Sequence, residues 1–199
     1  MRITLFDYGA GNLHSLAKAL RGEKCEVRAE TNPRAAVDTD LLVLPGVGAF
    51  EPAARALDGG REFMRDAIQS GLPCLGICLG MQLLFDASDE GDGAGLGVFP
   101  GRVTKLRTNR TPQIGWNSID DATDPLFSGA RLETAYYANS FACRPAETSA
   151  VTAWSTHEGD CFPAAIRSGK TLGVQFHPEK SSAPGVAFIR NYLNIISNS

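Results

Sequence analysis

Residues 72–85 read LPCLGICLGMQLLF, an apolar run that passes through Gly76, Cys78 and Gly80 into residues at helical spacing. The first part, residues 73–77, has the continuous apolar character of a strand buried on both faces in a parallel sheet, and Met81 and Leu84 continue it as a helix. A cysteine with a purely structural role would not need glycines two positions to either side. A turn tight enough to join strand directly to helix does need them, because it packs those neighbours against each other. Such a turn also sets Cys78 at a helix start, where unpaired backbone amides favour a thiolate. The stretch therefore predicts an α/β fold with a reactive cysteine on a strand-to-helix elbow.

Working outward toward the N-terminus, residues 2–6 read as a strand, and Leu13, Leu16, Ala17 and Leu20 recur at helical spacing until Gly22 supplies a stop. Glu26, Val27 and Arg28 form a short second strand, residues 40–44 a doubly buried strand that ends at Pro45-Gly46, and residues 61–70 a helix. This alternation implies a layered sheet of mainly parallel strands. After Phe85 the texture changes. Residues 88–103, SDEGDGAGLGVFPGRV, are glycine-rich, and short runs follow at residues 103–106, 135–142, 151–154, 164–167 and 172–175. These read as mostly antiparallel strands and hairpins, a smaller portion in the C-terminal half. Val186, Ile189, Leu193 and Ile196 mark a closing amphipathic helix. With 199 residues, one domain over residues 1–199 is expected.

Composition narrows the functional classes. Hydrophobic residues make up 43% and charged residues 21%, which suits a globular chain and not a disordered one. A formal charge of −3 without a basic cluster lacks the electrostatic footprint of nucleic-acid binding. No run approaches the roughly 20 apolar residues of a membrane span, and residues 1–7 do not resemble a signal peptide, so a cytoplasmic location is expected. Five cysteines form an odd, scattered set that argues against a disulfide framework. On a strand, Cys74 and Cys78 would lie about 13 Å apart, too far to share an ion, so no metal is expected. Two glycine-rich segments fail as phosphate loops: His14 stands where a dinucleotide fingerprint needs its third glycine, and Ala164 stands where a P-loop before Gly169-Lys170-Thr171 needs its first.

A nucleophilic cysteine needs a base, and three histidines are available. His14 falls in the first helix and His157 in the polar stretch STHEGD. His177, in GVQFHPEKS, ends an apolar strand and is held extended by Pro178. Glu179 follows two residues later, so in extended backbone both side chains project to one side, where the carboxylate can orient the imidazole. Nucleophile, base and orienting carboxylate are thereby complete in Cys78, His177 and Glu179. The backbone amide of Leu79, next to the nucleophile, is one candidate oxyanion donor, and the Pro45-Gly46-Val47-Gly48 segment is a second source because bare backbone can approach a substrate there.

These motifs resemble the class I (triad-type) glutamine amidotransferases, with GICLGMQ as the cysteine elbow and HPE as the histidine–glutamate pair. Within that family DYGAGNL, LPGVGAF, GWN and QFHPEKS look like the glutaminase subunits of imidazole glycerol phosphate synthases in histidine biosynthesis, over nearly the whole chain from Asp7 to Ser181. Anthranilate-type glutaminases and a partner-independent cysteine hydrolase are the alternatives. The resemblance implies a three-layer glutaminase-like fold and hydrolysis of glutamine through a thioester on Cys78. His177 would act as acid and base, and no cofactor is called for. It further implies oxyanion donors at Leu79, Val47 and Gly48, glutamine contacts at Gly46, Gln82, Glu90, Ser140 and Phe141, and a (β/α)₈-barrel cyclase partner that receives the ammonia as the other half of a heterodimer. Asn12, Trp116, Tyr136 and Lys180 match its partner-facing positions. Asn139 and Gln113 stand where the family commonly has histidine, and Phe141 where it commonly has tyrosine.

Overall fold

The computed structural model describes residues 1–9, 13–21 and 25–198. Asn12 and Gly22, assigned above to a partner face and a helix stop, lie outside the described residues. The chain runs β1 (Arg2–Phe6), α1 (His14–Leu20), β2 (Glu26–Glu30), α2 (Pro33–Ala36), β3 (Leu41–Leu44), α3 (Phe50–Ala56), α4 (Arg61–Gln69), β4 (Cys74–Ile77) and α5 (Leu79–Leu83). It continues through β5 (Ala87–Ser88), β6 (Gly101–Lys105), β7 (Gln113–Ser118), α6 (Pro125–Ala130), β8 (Thr134–Asn139), β9 (Phe141–Pro145), β10 (Val151–His157), β11 (Asp160–Ser168), β12 (Thr171–Val174) and α7 (Ser182–Ser197). Among the described residues, the main sheet has the order β10-β11-β12-β4-β3-β1-β2, with β5-β6-β9 and β7-β8 as smaller sheets. From β12 to β2 every pairing is parallel, and β10 and β11 extend that sheet antiparallel.

Alternation along the buried strands builds the layers. On β3, Leu41 and Val43 join one apolar cluster with α1, α6 and α7, whereas Leu42 and Leu44 join a second with α2 to α5. On β4, Leu75 and Ile77 face the first cluster and Cys74 the second. Each strand thus buries both faces, and every such side chain contributes about 1.5–3 kcal/mol when a Val, Leu, Ile or Phe is fully withdrawn from water. Tyr192 of α7 fixes its helix to the sheet with its one hydroxyl proton shared between Lys170 O (2.6 Å) and Cys74 O (3.0 Å).

Three expectations change. The run at residues 135–142 is not one strand: β8 and β9 belong to different sheets and break at Ser140. The run at residues 172–175, read only as one of the mostly antiparallel strands, is β12, which pairs antiparallel with β11 and parallel with β4 in the centre of the main sheet. Short helices α2, α3 and α6 occupy stretches in which no helix was expected. Asn32 and Asp124 cap two of them, accepting hydrogen bonds from first-turn amides. Among the described residues no helix is long and apolar enough to cross a membrane.

The elbow depends on two glycines. A Cβ at Gly80 would lie 1.9 Å from Leu44 O, and one at Gly76 would lie 2.7 Å from Gly80 O. Both contacts are with backbone, which cannot swing aside. Gly80→Ala is expected to lower unfolding stability by about 3 kcal/mol or more, the upper range for overpacking a close-packed interior. Urea denaturation checks this, and a midpoint equal to that of the parent chain would contradict the contact.

Candidate active site

Cys78 sits between β4 and α5 with φ 48° and ψ −106°, a left-handed backbone that a side-chain-bearing residue adopts only when its surroundings enforce it. Its N–H donates to Val174 O of β12 (2.7 Å), and its own carbonyl accepts from Gln82 N (3.1 Å). The strand order accounts for the position of His177. Because β12 lies beside β4, residues just past the end of β12 arrive at the elbow, and His177 is among them.

His177 is extended, with φ −101° and ψ 93°, and 2% exposed. Its Nδ1 contacts Glu179 Oε1 at 2.8 Å. The pair forms by a different route from the one expected, since Pro178–Lys180 is a turn of 3-10 helix and brings the carboxylate back under the ring. Burial alone would push the imidazole pKa down. Hydrogen bonds to Cys78 and Glu179, together with their negative charges, outweigh burial and lift it from its ordinary 6.5 to about 10. The imidazole is consequently held as a cation between sulfur and carboxylate. The other carboxylate oxygen of Glu179 is buried without a hydrogen-bond partner, which leaves the imidazolium as the charge that compensates it.

Cys78 opens onto a cleft of about 240 Å³ lined by Gly46, Gly48, Leu79, Gln82, Glu90, Ala138, Asn139, Ser140 and Phe141. The break between β8 and β9 therefore forms one wall. Glu90 is fixed by accepting from Phe50 N (3.1 Å), and Gln82 Nε2 donates to Phe141 O (3.1 Å). A Cβ at Gly46 would stand 2.8 Å from His177 Cε1 and 2.9 Å from Ile77 O, so only glycine lets this backbone pass the ring. Val47 is not among the residues that line this cleft; it lines a smaller cavity of about 130 Å³ with Leu13, Leu16, Pro45, Glu179 and Lys180. Gly48 has φ 111°, a conformation that favours glycine.

Trp116 and Tyr136 are cross-strand partners on β7 and β8 and pack edge to face with ring centroids 6.5 Å apart. Lys180 Nζ lies 5.9 Å from the centre of the Tyr136 ring. Trp116, at 55% exposure, and Ile114, at 66%, extend from the same face of β7. This surface is joined to the His177 segment, because His177 N donates to Tyr136 O at 2.8 Å. Gln113 and Asn139 also pair across β7 and β8, and both are buried.

Sequence reasoning missed Tyr8, Gln175 and Ile114. Tyr8, inside DYGAGNL, donates from its hydroxyl to Pro45 O. Burial first, then the charges of Cys78 and Asp7, raise its pKa well above the ordinary value, so the phenol stays neutral and able to donate. Gln175 precedes His177 by two residues and donates from Nε2 to Cys78 Sγ at 3.5 Å. The alternation used to pair His177 with Glu179 would have found it. Ile114 is likewise two residues from Trp116.

Three comparisons bear on this geometry. The family model described as glutamine amidotransferase class-I matches residues 4–195. The imidazole glycerol phosphate synthase subunit HisH of a Synechococcus strain is 39% identical over 205 residues, covering 99% of this chain and 94% of that protein. Its counterpart from Thermus thermophilus is 40% identical over 208 residues, covering 98% of this chain and 100% of that protein. Among solved structures, PurLQS from Thermotoga maritima has a similar fold, with a TM-score of 0.75 at 19% identity over 98% of each chain.

The raised imidazole pKa gives a measurable titration. Assigned histidine resonances followed by NMR should show His177 losing its proton near pH 10. In Glu179→Gln, which removes the negative charge and leaves a neutral amide oxygen as acceptor, the midpoint should move down toward the ordinary 6.5. A midpoint that Glu179→Gln leaves unchanged would contradict the assignment of cause.

Proposed function

The chain belongs to the class I glutamine amidotransferases, and from that premise we propose that it is the glutaminase subunit of an imidazole glycerol phosphate synthase. The observation that carries the reading is the meeting of Cys78, His177 and Glu179, with Cys78 lining a small polar cleft, in a chain that matches curated subunits of that synthase over nearly all its length.

In this reading the Cys78 sulfur attacks the side-chain amide carbon of glutamine, and the carbonyl oxygen takes up negative charge. The Leu79 amide and the Val47-Gly48 backbone are the proposed donors to that oxyanion. Collapse of the intermediate breaks the C–N bond, and the imidazolium of His177 gives its proton to the departing nitrogen. Neutral His177 then takes a proton from water as it attacks the thioester, which releases glutamate and restores the sulfur. Glu179 holds the ring throughout. Gly46, Gln82, Glu90, Ser140 and Phe141 are the proposed glutamine contacts. Glu90 suits the α-ammonium group because it supplies the one carboxylate among the residues that line the cleft.

The ammonia goes to a (β/α)₈-barrel cyclase partner, bound through Trp116, Tyr136 and Lys180, with Asn12 as a further proposed contact. Two exposed apolar side chains on one strand, next to an aromatic ring and a lysine, support this face as an interface. The bond from His177 N to Tyr136 O gives the partner a short physical route to the catalytic loop.

Three measurements test the reading. Cys78→Ala should abolish glutamate release from glutamine while leaving association with the cyclase intact. The parent chain should release glutamate faster with the cyclase and its nucleotide substrate than alone, and equal rates would reject partner control. Trp116→Ala should raise the Kd for the cyclase about thirtyfold, the scale of an aromatic hot spot, and an unchanged Kd would remove this face from the interface.

A further inference from the structure

We propose that Gln175 is a catalytic residue: its side-chain amide is a hydrogen-bond donor to the Cys78 sulfur, held in the donating orientation by Gln82.

The direction of this relay follows from a backbone group that can only accept. Phe141 O receives hydrogen bonds from Gln82 Nε2 (3.1 Å) and from Asn139 Nδ2 (3.0 Å), so the NH₂ end of Gln82 must face that carbonyl. The same Nε2 donates to Gln175 Oε1 at 3.3 Å. With its oxygen committed to Gln82, Gln175 can present only its NH₂ group to Cys78 Sγ, 3.5 Å away. Gln175 is 0% exposed and Gln82 4% exposed, so water does not compete for these bonds. Gln175 N also donates to Ala164 O at 2.9 Å, which anchors the residue to β11 independently of its side chain.

The sulfur consequently has separate partners for its two states. As a thiol it can donate to Ala138 O, 3.9 Å away. As a thiolate it accepts from Gln175 and from the His177 imidazolium. A thioether or thioester sulfur is a weak acceptor, so the Gln175 bond weakens when the C–S bond forms and is regained when water displaces the sulfur. Gln175 therefore favours the species that attacks and later the species that leaves. Gln82 is a positioning residue for this purpose, acting on the sulfur through Gln175, in addition to its proposed contact with glutamine.

The inference rests on Cys78 being the nucleophile, but its test does not require turnover. Gln175→Met keeps the length of the side chain and removes the donor. At neutral pH the rate constant for alkylation of Cys78 by iodoacetamide, read by peptide mapping in the absence of glutamine, should fall about tenfold, the scale of losing one hydrogen bond to a charged group. In the complex with the cyclase, kcat for glutamine should fall by a similar factor while KM stays within about twofold of the parent value. A role confined to packing would leave the alkylation rate unchanged, since methionine fills the same space. Gln175→Leu provides the second variant if the first does not fold. Parent-like alkylation in a folded Gln175→Met or Gln175→Leu chain would overturn the proposal, whatever the chain's activity toward glutamine.

Discussion

Everything at this site depends on a backbone that turns from strand to helix at one residue. The left-handed conformation of Cys78 is not favoured by cysteine itself; it is imposed by Gly76 and Gly80 closing on each other and by Gly80 lying directly against Leu44 O. The constraint reaches beyond the elbow, because the third and fourth strands must be neighbours for that contact to exist. The doubly buried parallel sheet holds them so, and the same sheet delivers His177 from the strand on the other side. Cys78 and His177 stand ninety-nine positions apart in the chain, and strand order makes them adjacent.

Once the sulfur is placed, electrostatics determine what it can do. The imidazole of His177 lies in a site where burial disfavours its cation, yet the sulfur on one side and the carboxylate on the other retain the proton. A proton held this way is available to a leaving amine without help from solvent. The lack of space around the ring matters equally. Gly46 passes so close to His177 that the ring and the proposed oxyanion segment share a contact surface, while Tyr8 holds the preceding carbonyl of Pro45 from below. Displacement of that segment would therefore be felt at the imidazole, and the exposed face around Trp116 is joined to the same loop through Tyr136.

Much of this was legible in the sequence, for identifiable reasons. Apolar runs at the third and fourth strands have no polar face, and only a sheet covered on both sides accommodates them. Glycines flanking Cys78, and proline after His177, are residues whose backbone preferences are strong enough to read without coordinates. Other features were not legible because local pattern and tertiary role diverge. Residues 135–142 are continuously strand-like, and only the packing of two separate sheets reveals the break at Ser140 that shapes the cleft. Residues 113–118 were not read as a strand, because Gln113 and Asn117 are polar and Gly115 interrupts the run, although the strand carries the exposed Trp116. Glu179 was paired with the right partner for the wrong reason, a turn of 3-10 helix replacing extended backbone. The amides of Gln82 and Gln175 were invisible as a pair, since nothing in sequence spacing brings positions ninety-three apart together.

The account's central claim is that the Cys78 sulfur becomes covalently bonded to substrate. Rapid quenching of the chain with its cyclase during glutamine turnover, followed by peptide mass spectrometry, tests this most directly. A γ-glutamyl adduct confined to the peptide that carries Cys78, and cleared as glutamine is exhausted, is the predicted result. An adduct on Cys143 or Cys161, or sustained glutamate release with no acylated cysteine at any quench time, would contradict it.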